Sequence, residues 1–269
     1  MIDLQNCDAF ELMAELNDNS IDAIITDPPY GTTQLEWDTA PDLELMFSEF
    51  KRIAKPHAPM VMFSAQPFTT DLINAGRDVF SYSLVWEKTS PTNFLAANRQ
   101  PLKAHEDILI FSKKSCTYNP QMWHSKPKGV IVRKYKPEEN KSLHYGGQKD
   151  NIGFNNGERF PVSVLSFSNS DRTKTLHPTQ KPLDLLCYLA KTYSNEGETI
   201  LDPFAGSGTT AHAAYLTGRI FIGCEINQEY FEKAKKRLDS VQKQPNIFEK
   251  EQGATQAKKL ELKQESVFK

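Results

Sequence analysis

The stretch IDAIITDPPYG, residues 21–31, carries an apolar run directly into an acid, two prolines and an aromatic residue. The apolar residues that precede the acid predict a buried strand. Proline has no amide hydrogen to donate to a sheet ladder, so the two prolines end the strand abruptly on a stiff backbone. Asp27 and Tyr30 are therefore expected at the carboxyl end of a strand, where open α/β sheets bind their ligands.

Around this stretch, the first 113 residues alternate between apolar runs and segments with helical spacing. The apolar runs predict further strands at 1–7, 58–65, 82–88 and 107–113. The helical segments are 9–16, 42–54 and 69–76. Alternation of this kind implies a mostly parallel sheet that is covered by helices on both faces.

The alternation stops between residues 114 and 158, where Asn, Gly, Pro, Lys and Tyr dominate and apolar runs are short. Nine lysines or arginines stand against two glutamates between Lys113 and Lys149, although the whole chain has a net charge of −2. A local basic block can bind phosphates, and a solvated loop region is the open alternative. The segment is predicted to be a loop-rich insertion.

Alternation resumes after the insertion and continues to about residue 241. Strands are predicted at 160–167, 198–204 and 219–226, and helices at 182–193, 209–218 and 229–241. The remaining residues, 242–269, are highly polar and are predicted to be a flexible tail.

Bulk properties exclude several classes of protein. No run of 18 or more apolar residues is present, and the start MIDLQNCDAF has neither the basic flank nor the apolar core of a signal peptide. The four cysteines stand alone, which indicates a reduced, cytoplasmic protein without a disulfide framework or a metal site.

A second stretch, TILDPFAGSGTTAHAA at 199–214, leads an apolar strand through a glycine turn into a helix. Small residues let the backbone approach a ligand closely, and no Gly-Lys-Ser/Thr follows, so the turn is not a P-loop. Glu225 ends the next strand, 19 residues after Gly206, which is the spacing expected of an acid that holds ribose hydroxyls. Together they predict a nucleoside-bearing cofactor. A plain tight turn and a solvated acid are the alternatives.

The motifs Asp-Pro-Pro-Tyr and Asp-Pro-Phe-Ala-Gly-Ser-Gly-Thr-Thr together resemble those of the amino-group DNA methyltransferases, which use S-adenosylmethionine. The catalytic tetrad precedes the basic insertion and the cofactor loop comes last, which is similar to the β group of that family. NCDAFELM, HEDILIFSKK and HPTQKPLDLL extend the resemblance over most of residues 1–238.

The resemblance implies a Rossmann-like S-adenosylmethionine-dependent methyltransferase fold of the α/β class, with a mixed, mostly parallel sheet, helices on both faces and a circularly permuted motif order. It divides the chain into a catalytic half (1–113), an inserted target-recognition region (114–158), a cofactor-binding half (159–241) and the polar tail (242–269).

The resemblance also implies roles for individual residues. The catalytic residues would be the tetrad Asp27, Pro28, Pro29 and Tyr30. The cofactor would contact Asp8, Asp27, Lys181, Asp202, Phe204, Ala205, Gly206, Ser207, Gly208, Thr209, Glu225 and Ile226. The pocket around the methionine end of the cofactor would also be lined by His177, Thr179 and Gln180. DNA phosphates would be contacted by Lys126, Lys128, Arg133, Lys134, Lys136 and Lys141.

Two of these assignments have ordinary alternatives. Lys181 is the expected partner of the cofactor carboxylate, but a helix cap around Thr179 beside a surface lysine would explain the same residues. Asp8 corresponds to the family's acid near the cofactor adenine, and a helix cap is its equally ordinary explanation.

The implied reaction is methylation of the N6 amine of an adenine that is flipped out of double-stranded DNA, because an Asp at the head of the tetrad favours adenine. Cytosine-N4 methylation is the first alternative. An RNA or protein-glutamine methyltransferase is disfavoured by the motif order, and an inactive DNA-binding module of a restriction or repair complex is disfavoured by the intact motifs. A cognate restriction endonuclease and a homodimer are left open.

Overall fold

The computed structural model describes residues 1–31, 39–125, 129–133, 151–169 and 180–242, with the backbone alone for 129–133 and 151–155. The chain divides into two compact units, one made of Met1–Asn119 together with the chain from Ser163 onward, and one made of Pro120–Val162. The predicted recognition region, 114–158, overlaps the smaller unit, and its role stays a prediction.

The elements follow one another in the order β1 (Ile2–Gln5), α1 (Ala9–Glu15), β2 (Ala23–Thr26), α2 (Leu43–Ile53), β3 (Met60–Ser64), α3 (Phe68–Ala75), β4 (Phe80–Thr92), β5 (Lys103–Phe111), β6 (Trp123–His124), β7 (Gly129–Arg133), β8 (Asn151–Asn155), β9 (Glu158–Arg159), β10 (Val164–Phe167), α4 (Leu183–Tyr193), β11 (Thr199–Asp202), α5 (Thr209–Leu216), β12 (Ile220–Cys224) and α6 (Gln228–Gln242). A short 3₁₀ turn, Phe94–Ala96, lies between β4 and β5. None of the helices in these described stretches is long and apolar enough to cross a membrane.

The larger unit is built on an eight-stranded sheet in the order β1-β12-β11-β2-β3-β5-β4-β10. Only β5 runs antiparallel to its neighbours, and every other pair of adjacent strands in this sheet is parallel. The predicted mixed, mostly parallel sheet is confirmed. The carboxyl ends of β1, β12, β11, β2 and β3 therefore meet at one edge, and the predicted ligand site belongs there.

Helices cover both faces of this sheet because successive strand residues point to opposite sides. Ile24 and Met62 face a core that they share with α1, α2 and α3. Their neighbours Ile25 and Val61 face a second core, shared with α4, α5 and α6. Strands that are buried on both faces read as unbroken apolar runs, which is how β2 and β3 appear in the sequence.

The tetrad strand and the glycine-turn strand lie side by side, as the proposed site requires. β2 pairs in parallel with β11, with Ala23 opposite Ile200 and Ile24 opposite Leu201. At the carboxyl ends of the two strands, the Thr26 hydroxyl donates to Asp202 Oδ1 at 2.7 Å. Segments about 180 positions apart in the chain are thus joined directly at the edge where ligands bind.

The strands β4 and β5 are longer than predicted. The sequence predicts strands only at 82–88 and 107–113, with an irregular segment between them, whereas the ladder reaches a pair between Thr92 and Lys103. The added residues are exposed or only partly buried and carry no alternating apolar pattern, so the periodicity that marks a half-buried strand is missing. The extension places Glu106 inside the sheet, opposite Trp86.

The smaller unit contains two antiparallel ladders, β6 with β9 and β7 with β8. The Trp123 indole N–H donates to the Phe160 carbonyl at 3.2 Å. Several predicted site residues lie outside the described residues or have side chains outside them: Lys126, Lys128, Arg133, Lys134, Lys136, Lys141, His177 and Thr179. The predicted tail also lies outside them from residue 243 onward.

Candidate active site

Asp27 follows the last residue of β2, and both of its carboxylate oxygens accept hydrogen bonds from side chains. The Tyr30 hydroxyl donates to Oδ1 at 2.8 Å. The Lys181 ammonium donates to Oδ2 at 2.5 Å. Two rigid prolines separate Asp27 from Tyr30, so the tetrad presents an acid and a phenol as one preorganised group.

Lys181 is part of a buried charge quartet, which we define as Asp27, Lys181, Glu106 and Lys88. Its ammonium lies 3.3 Å from Glu106 Oε2, and Glu106 Oε1 accepts from the Lys88 ammonium at 2.6 Å. The side chains of Lys88, Lys181 and Glu106 are 8%, 9% and 14% exposed, and that of Asp27 is 25% exposed. Two acids and two cations give a neutral cluster, which limits the cost of burying four charges.

The charges of the quartet shift one another's proton affinities. Burial raises the pKa of the Asp27 carboxyl above its usual value, and Lys181 opposes this rise. Burial alone would lower the pKa of Lys181, but Asp27 and then Glu106 outweigh it and raise that pKa. Burial alone would raise the pKa of Glu106, but Lys181 and then Lys88 outweigh it and lower that pKa. Lys181 is therefore held as an ammonium between two acids.

Sequence reasoning did not identify Glu106 or Lys88. The residues next to each of them in the sequence are polar, and the sheet register, rather than any short motif, brings the two together. One usable signal existed, because HEDILIFSKK is part of the resemblance and places an acid directly before an apolar strand run. A charged side chain on a buried strand face needs a partner of opposite charge, so such a residue is a candidate member of a buried ion-pair cluster.

The Tyr30 ring packs against its surroundings as well as donating through its hydroxyl. Phe68 stacks on it with ring centroids 5.1 Å apart, and the Lys181 ammonium lies 5.9 Å from its centroid. Burial, with Asp27 next in size, raises the pKa of the Tyr30 phenol well above its usual value. The hydroxyl is consequently a fixed donor to Asp27 at every physiological pH.

The glycine turn orients an acid. Glu225 Oε2 accepts the Gly206 N–H at 2.8 Å, and Oε1 accepts the Asn227 N–H at 2.8 Å. Gly206 has a φ of +53°, and a Cβ built on it would meet no described atom within 4 Å. The left-handed backbone thus brings an amide to Glu225 while the space beside the turn stays open for a ligand.

Other residues of the predicted cofactor set hold this turn in place. Asp202 is buried, and its Oδ1 accepts the Phe204 N–H at 3.1 Å in addition to the Thr26 hydroxyl. Burial raises the pKa of Asp202 to about 6. The Ala205 N–H donates to the Cys224 carbonyl at 2.9 Å, which fastens the turn to β12. Their contacts with a cofactor stay predictions.

The far side of the turn is fixed by helix packing. Gly208 is the left-handed N-cap of α5, and a Cβ on it would lie 3.0 Å from the Ala234 Cβ of α6. Ser207 and Thr209 are buried, and the Arg237 guanidinium donates to the Thr209 hydroxyl at 2.9 Å. These residues keep α5 close to α6, so a larger residue at position 208 would separate the two helices.

Ile226 follows Glu225 at the edge of the sheet, and Asp8 follows β1, the strand beside β12. Ile226 is exposed, and the Asn6 side chain donates to the Glu225 and Ile226 carbonyls at 2.7 and 3.2 Å. Asn6 was not predicted, since only the β1–β12 pairing reveals its position. Asp8 caps α1, and its Oδ1 accepts the Phe10 N–H at 2.8 Å, so the helix-cap alternative describes its contacts here.

Lys181 was predicted to bind a cofactor carboxylate, but in the structure its ammonium contacts Asp27 and Glu106. The alternative of a surface lysine is wrong, because Lys181 is buried. The N-cap of α4 is Pro182, without a side-chain cap hydrogen bond. By its contacts, Lys181 therefore belongs to the charge quartet, and its contact with a cofactor stays a prediction.

Comparison with known proteins places the whole arrangement in one family. A family model described as N6_N4_Mtase, DNA methylase, matches residues 21–236. The type II methyltransferase M.HpaI of Haemophilus parainfluenzae is 32% identical over 86% of this chain and 72% of its own length. The M1.HpyAVI–SAM complex superposes with a TM-score of 0.60 at 29% identity, covering 88% of this chain and 99% of that one.

A third protein, the cytosine-N4-specific PvuII DNA methyltransferase, shares the fold. It superposes with a TM-score of 0.62 at 17% identity, over 88% of this chain and 86% of its own. The family model spans most of the chain and includes both the tetrad and the glycine turn. The chain therefore belongs to the N6/N4 DNA methylase family and is a DNA amino-methyltransferase, as its two motifs predicted.

Proposed function

We propose that this protein transfers a methyl group from S-adenosylmethionine to the N6 amine of an adenine flipped out of double-stranded DNA, at a specific sequence. The observation that carries the proposal is the junction of β2 and β11. It sets Asp27, a partly buried carboxylate at the end of one strand, beside the strand that leads into the Gly206 turn. The acceptor and the cofactor site thus share one edge of the sheet.

The residues around the glycine turn fit S-adenosylmethionine. Glu225 uses one lone pair of each oxygen on a backbone amide, which leaves further acceptor capacity for the two ribose hydroxyls. The open space beside Gly206 and the exposed Ile226 side chain suit a nucleoside that packs against the turn. When bound, the cofactor supplies an electrophilic methyl group on its sulfonium.

Asp27 and Pro28 are placed to overcome the weak nucleophilicity of the base amine. The lone pair of an exocyclic base amine is delocalised into the ring, so the nitrogen becomes nucleophilic only as it turns tetrahedral. Acceptors for its two hydrogens favour that change, and we assign the Asp27 carboxylate and the Pro28 carbonyl to this role. Because the Pro-Pro backbone fixes the Pro28 carbonyl and the Tyr30 hydroxyl holds the Asp27 carboxylate before substrate arrives, little reorganisation is needed in the transition state.

The target base must leave the duplex to reach this site. We assign the Tyr30 ring, which also stacks with Phe68, to stacking with the extruded base. Stacking of a base on an aromatic side chain contributes roughly 1–3 kcal/mol. In our proposal, Tyr30 therefore both fixes the Asp27 carboxylate and holds the base.

Adenine is preferred over cytosine because the tetrad begins with Asp. The β-group assignment, which rests on motif order, stays a prediction. Several relatives are named type II methyltransferases, which supports a place in a restriction–modification system with a cognate endonuclease. Such a partner and a homodimer stay predictions of the resemblance.

Sequencing with modification-sensitive reads, applied to DNA from cells that express the protein, tests the proposal. We expect N6-methyladenine at one recurring sequence, and no such mark with an Asp27→Ala variant. N4-methylcytosine instead would overturn the choice of base. Purified protein that binds DNA but neither binds the cofactor nor methylates would favour the inactive DNA-binding module.

Neutralising lysines in the basic insertion should weaken the salt dependence of DNA binding. Replacing Lys134, Lys136 and Lys141 by glutamine removes up to three phosphate contacts, each of which contributes about −0.9 to the slope of log K against log salt. A DNA-binding titration at several salt concentrations measures the slope. The matched control replaces three lysines of α6: Lys233, Lys235 and Lys236. Equal slopes for the two variants would show that the insertion is ordinary surface.

A further inference from the structure

The following inference rests on the proposed function. In that reaction the Asp27 carboxylate must accept the substrate amine, but side chains of the quartet and Tyr30 already contact it. The Lys181 ammonium sits 2.5 Å from Asp27 Oδ2, and the Tyr30 hydroxyl occupies Oδ1. Both oxygens that could accept a substrate amine are thus engaged by donors of the protein itself. Each oxygen keeps a second lone pair, but the charged Lys181 is the strongest competing donor, so Asp27 would accept the amine more strongly if the ammonium withdrew from Oδ2.

Glu106 offers Lys181 a second acceptor. Its Oε2 is buried and accepts no hydrogen bond from any described residue, although Lys181 Nζ lies 3.3 Å away. Its other oxygen is fixed by Lys88 at 2.6 Å. Buried polar atoms rarely lack a partner, and such an exception calls for an explanation. An acceptor that the neighbouring ammonium contacts only at 3.3 Å and with poor geometry can accept that ammonium at a closer distance.

We propose that Glu106 is a positioning residue, which draws the Lys181 ammonium towards itself and so weakens its contact with Asp27 when the substrate amine binds. The movement required is small. Shortening the Nζ–Oε2 distance from 3.3 Å to the length of a charge-assisted hydrogen bond, about 2.8 Å, needs a shift of about half an ångström. The same shift lengthens the Nζ–Oδ2 contact from 2.5 Å to about 3.0 Å at most, which weakens that contact and makes Oδ2 a better acceptor for the amine, while Lys181 keeps an anionic partner throughout.

Lys88 completes the device. Lys88 neutralises the charge of Glu106 and holds its Oε1 by a hydrogen bond. The position of Oε2 therefore stays constant as Lys181 moves. Glu106 does not act as a base, because Lys181 and Lys88 lower its pKa and the arrangement transfers no proton. The charge of the quartet stays at zero before and after the shift, so the field at the reacting nitrogen changes only by the displacement of one ammonium.

A double-mutant cycle tests this proposal. Glu106→Gln keeps the shape of the side chain and removes its charge, and Lys181→Met removes the ammonium. We expect Glu106→Gln alone to lower kcat by about tenfold, the value of 1.4 kcal/mol, with little change in KM. In the Lys181→Met background the same change should have less than a twofold effect, since no ammonium remains to be received. Equal losses in both backgrounds would overturn the proposal.

The pH profile separates this role from a general loss of structure. The charged or titratable groups around Asp27 are Lys181, Tyr30, Glu106 and Asp202, with Lys88 behind Glu106. Lys181 lowers the pKa of Asp27 and Glu106 raises it. Loss of activity at low pH should therefore move to lower pH in Glu106→Gln and to higher pH in Lys181→Met. An unchanged profile in both variants would contradict the proposal.

A third measurement does not depend on turnover. Carbon-13 NMR of the lysine Cε signals reports the pKa of Lys181, which should fall in Glu106→Gln because an anion beside it is lost. Were wild-type protein inactive on DNA, the proposed function would fail while this titration still decided whether Glu106 holds Lys181. An unchanged Lys181 pKa would overturn the inference even in an active enzyme.

Two further variants serve as controls. Glu87→Gln makes the same substitution at an exposed position of β4 and should leave kcat, the pH profile and the melting temperature unchanged. Glu106→Asp retains the charge but withdraws the carboxylate, so it should lower kcat while shifting the pH profile less than Glu106→Gln does. If Glu106→Gln fails to fold, as its melting curve would show, the Asp variant in the two Lys181 backgrounds repeats the cycle. Additive losses there would equally overturn the proposal.

Discussion

Replacing Asp27 by alanine is expected to reduce kcat for methyl transfer about a thousandfold or more, since loss of one preorganised group at a developing charge typically costs 10²–10³ and Asp27 also faces the positive charge that forms on the nitrogen. A second reason also leads us to expect a large loss of kcat from this substitution. It leaves the Lys181 ammonium beside the reacting nitrogen with only Glu106 to neutralise it, and a cation there opposes the transition state.

The measurement is transfer of a labelled methyl group from the cofactor to DNA under single-turnover conditions, which isolates the chemical step from product release. Cofactor affinity, measured by calorimetry, should change far less than kcat. Asp239→Ala, a change of the same kind at an exposed position of α6, is the matched control. Transfer by Asp27→Ala at the wild-type rate would refute the assignment of Asp27 as the acceptor for the amine.

Replacing Glu225 by alanine should weaken cofactor binding about a hundredfold, because hydrogen bonds to a charged acceptor contribute about 1.5–3 kcal/mol each. The side chain is assigned to the ribose hydroxyls, and it also anchors the Gly206 and Asn227 amides. Both losses act on the cofactor site. DNA affinity measured without cofactor should be nearly unchanged.

Calorimetric titration with S-adenosylmethionine gives the change directly, and Glu225→Gln separates its two causes. The amide retains one oxygen that can accept a backbone N–H, so it should preserve more of the turn than alanine does. Glu229→Ala, at an exposed acid four residues further along, is the control. Unchanged cofactor affinity in Glu225→Ala would remove Glu225 from the site and leave it a structural residue of the turn.

Several parts of the fold were predictable because local chemistry decides them. Pro28 and Pro29 end β2 wherever the strand lies, since neither can donate to a ladder. The predicted helix start at Asp42 is observed as the N-cap of α2, with its side chain accepting the Leu45 N–H at 3.0 Å. The glycine turn and the acid 19 residues later were recognisable for the same reason, because their spacing reflects one strand–turn–helix–strand unit.

Other parts depended on pairings between distant segments. The extension of β4 and β5 arises from a cross-strand ladder along an exposed hairpin, where no apolar alternation marks the strand. Asn6 reaches the Ile226 carbonyl only because β1 lies beside β12. No local sequence pattern marks the residues that form such contacts, so these contacts cannot be predicted from the sequence of either segment alone.

For this protein the sequence by itself determined the class of the fold, the two motifs and their order, and it predicted Asp27 and Glu225 as acids of the proposed site. Only the tertiary structure decided what surrounds Asp27. Lys181 comes from the segment before α4, Glu106 from β5 and Lys88 from β4, and the sheet brings all three to one buried point. The physical reason is that a strand end is specified by its own few residues, whereas the partner of a buried charge is specified by which strands become neighbours.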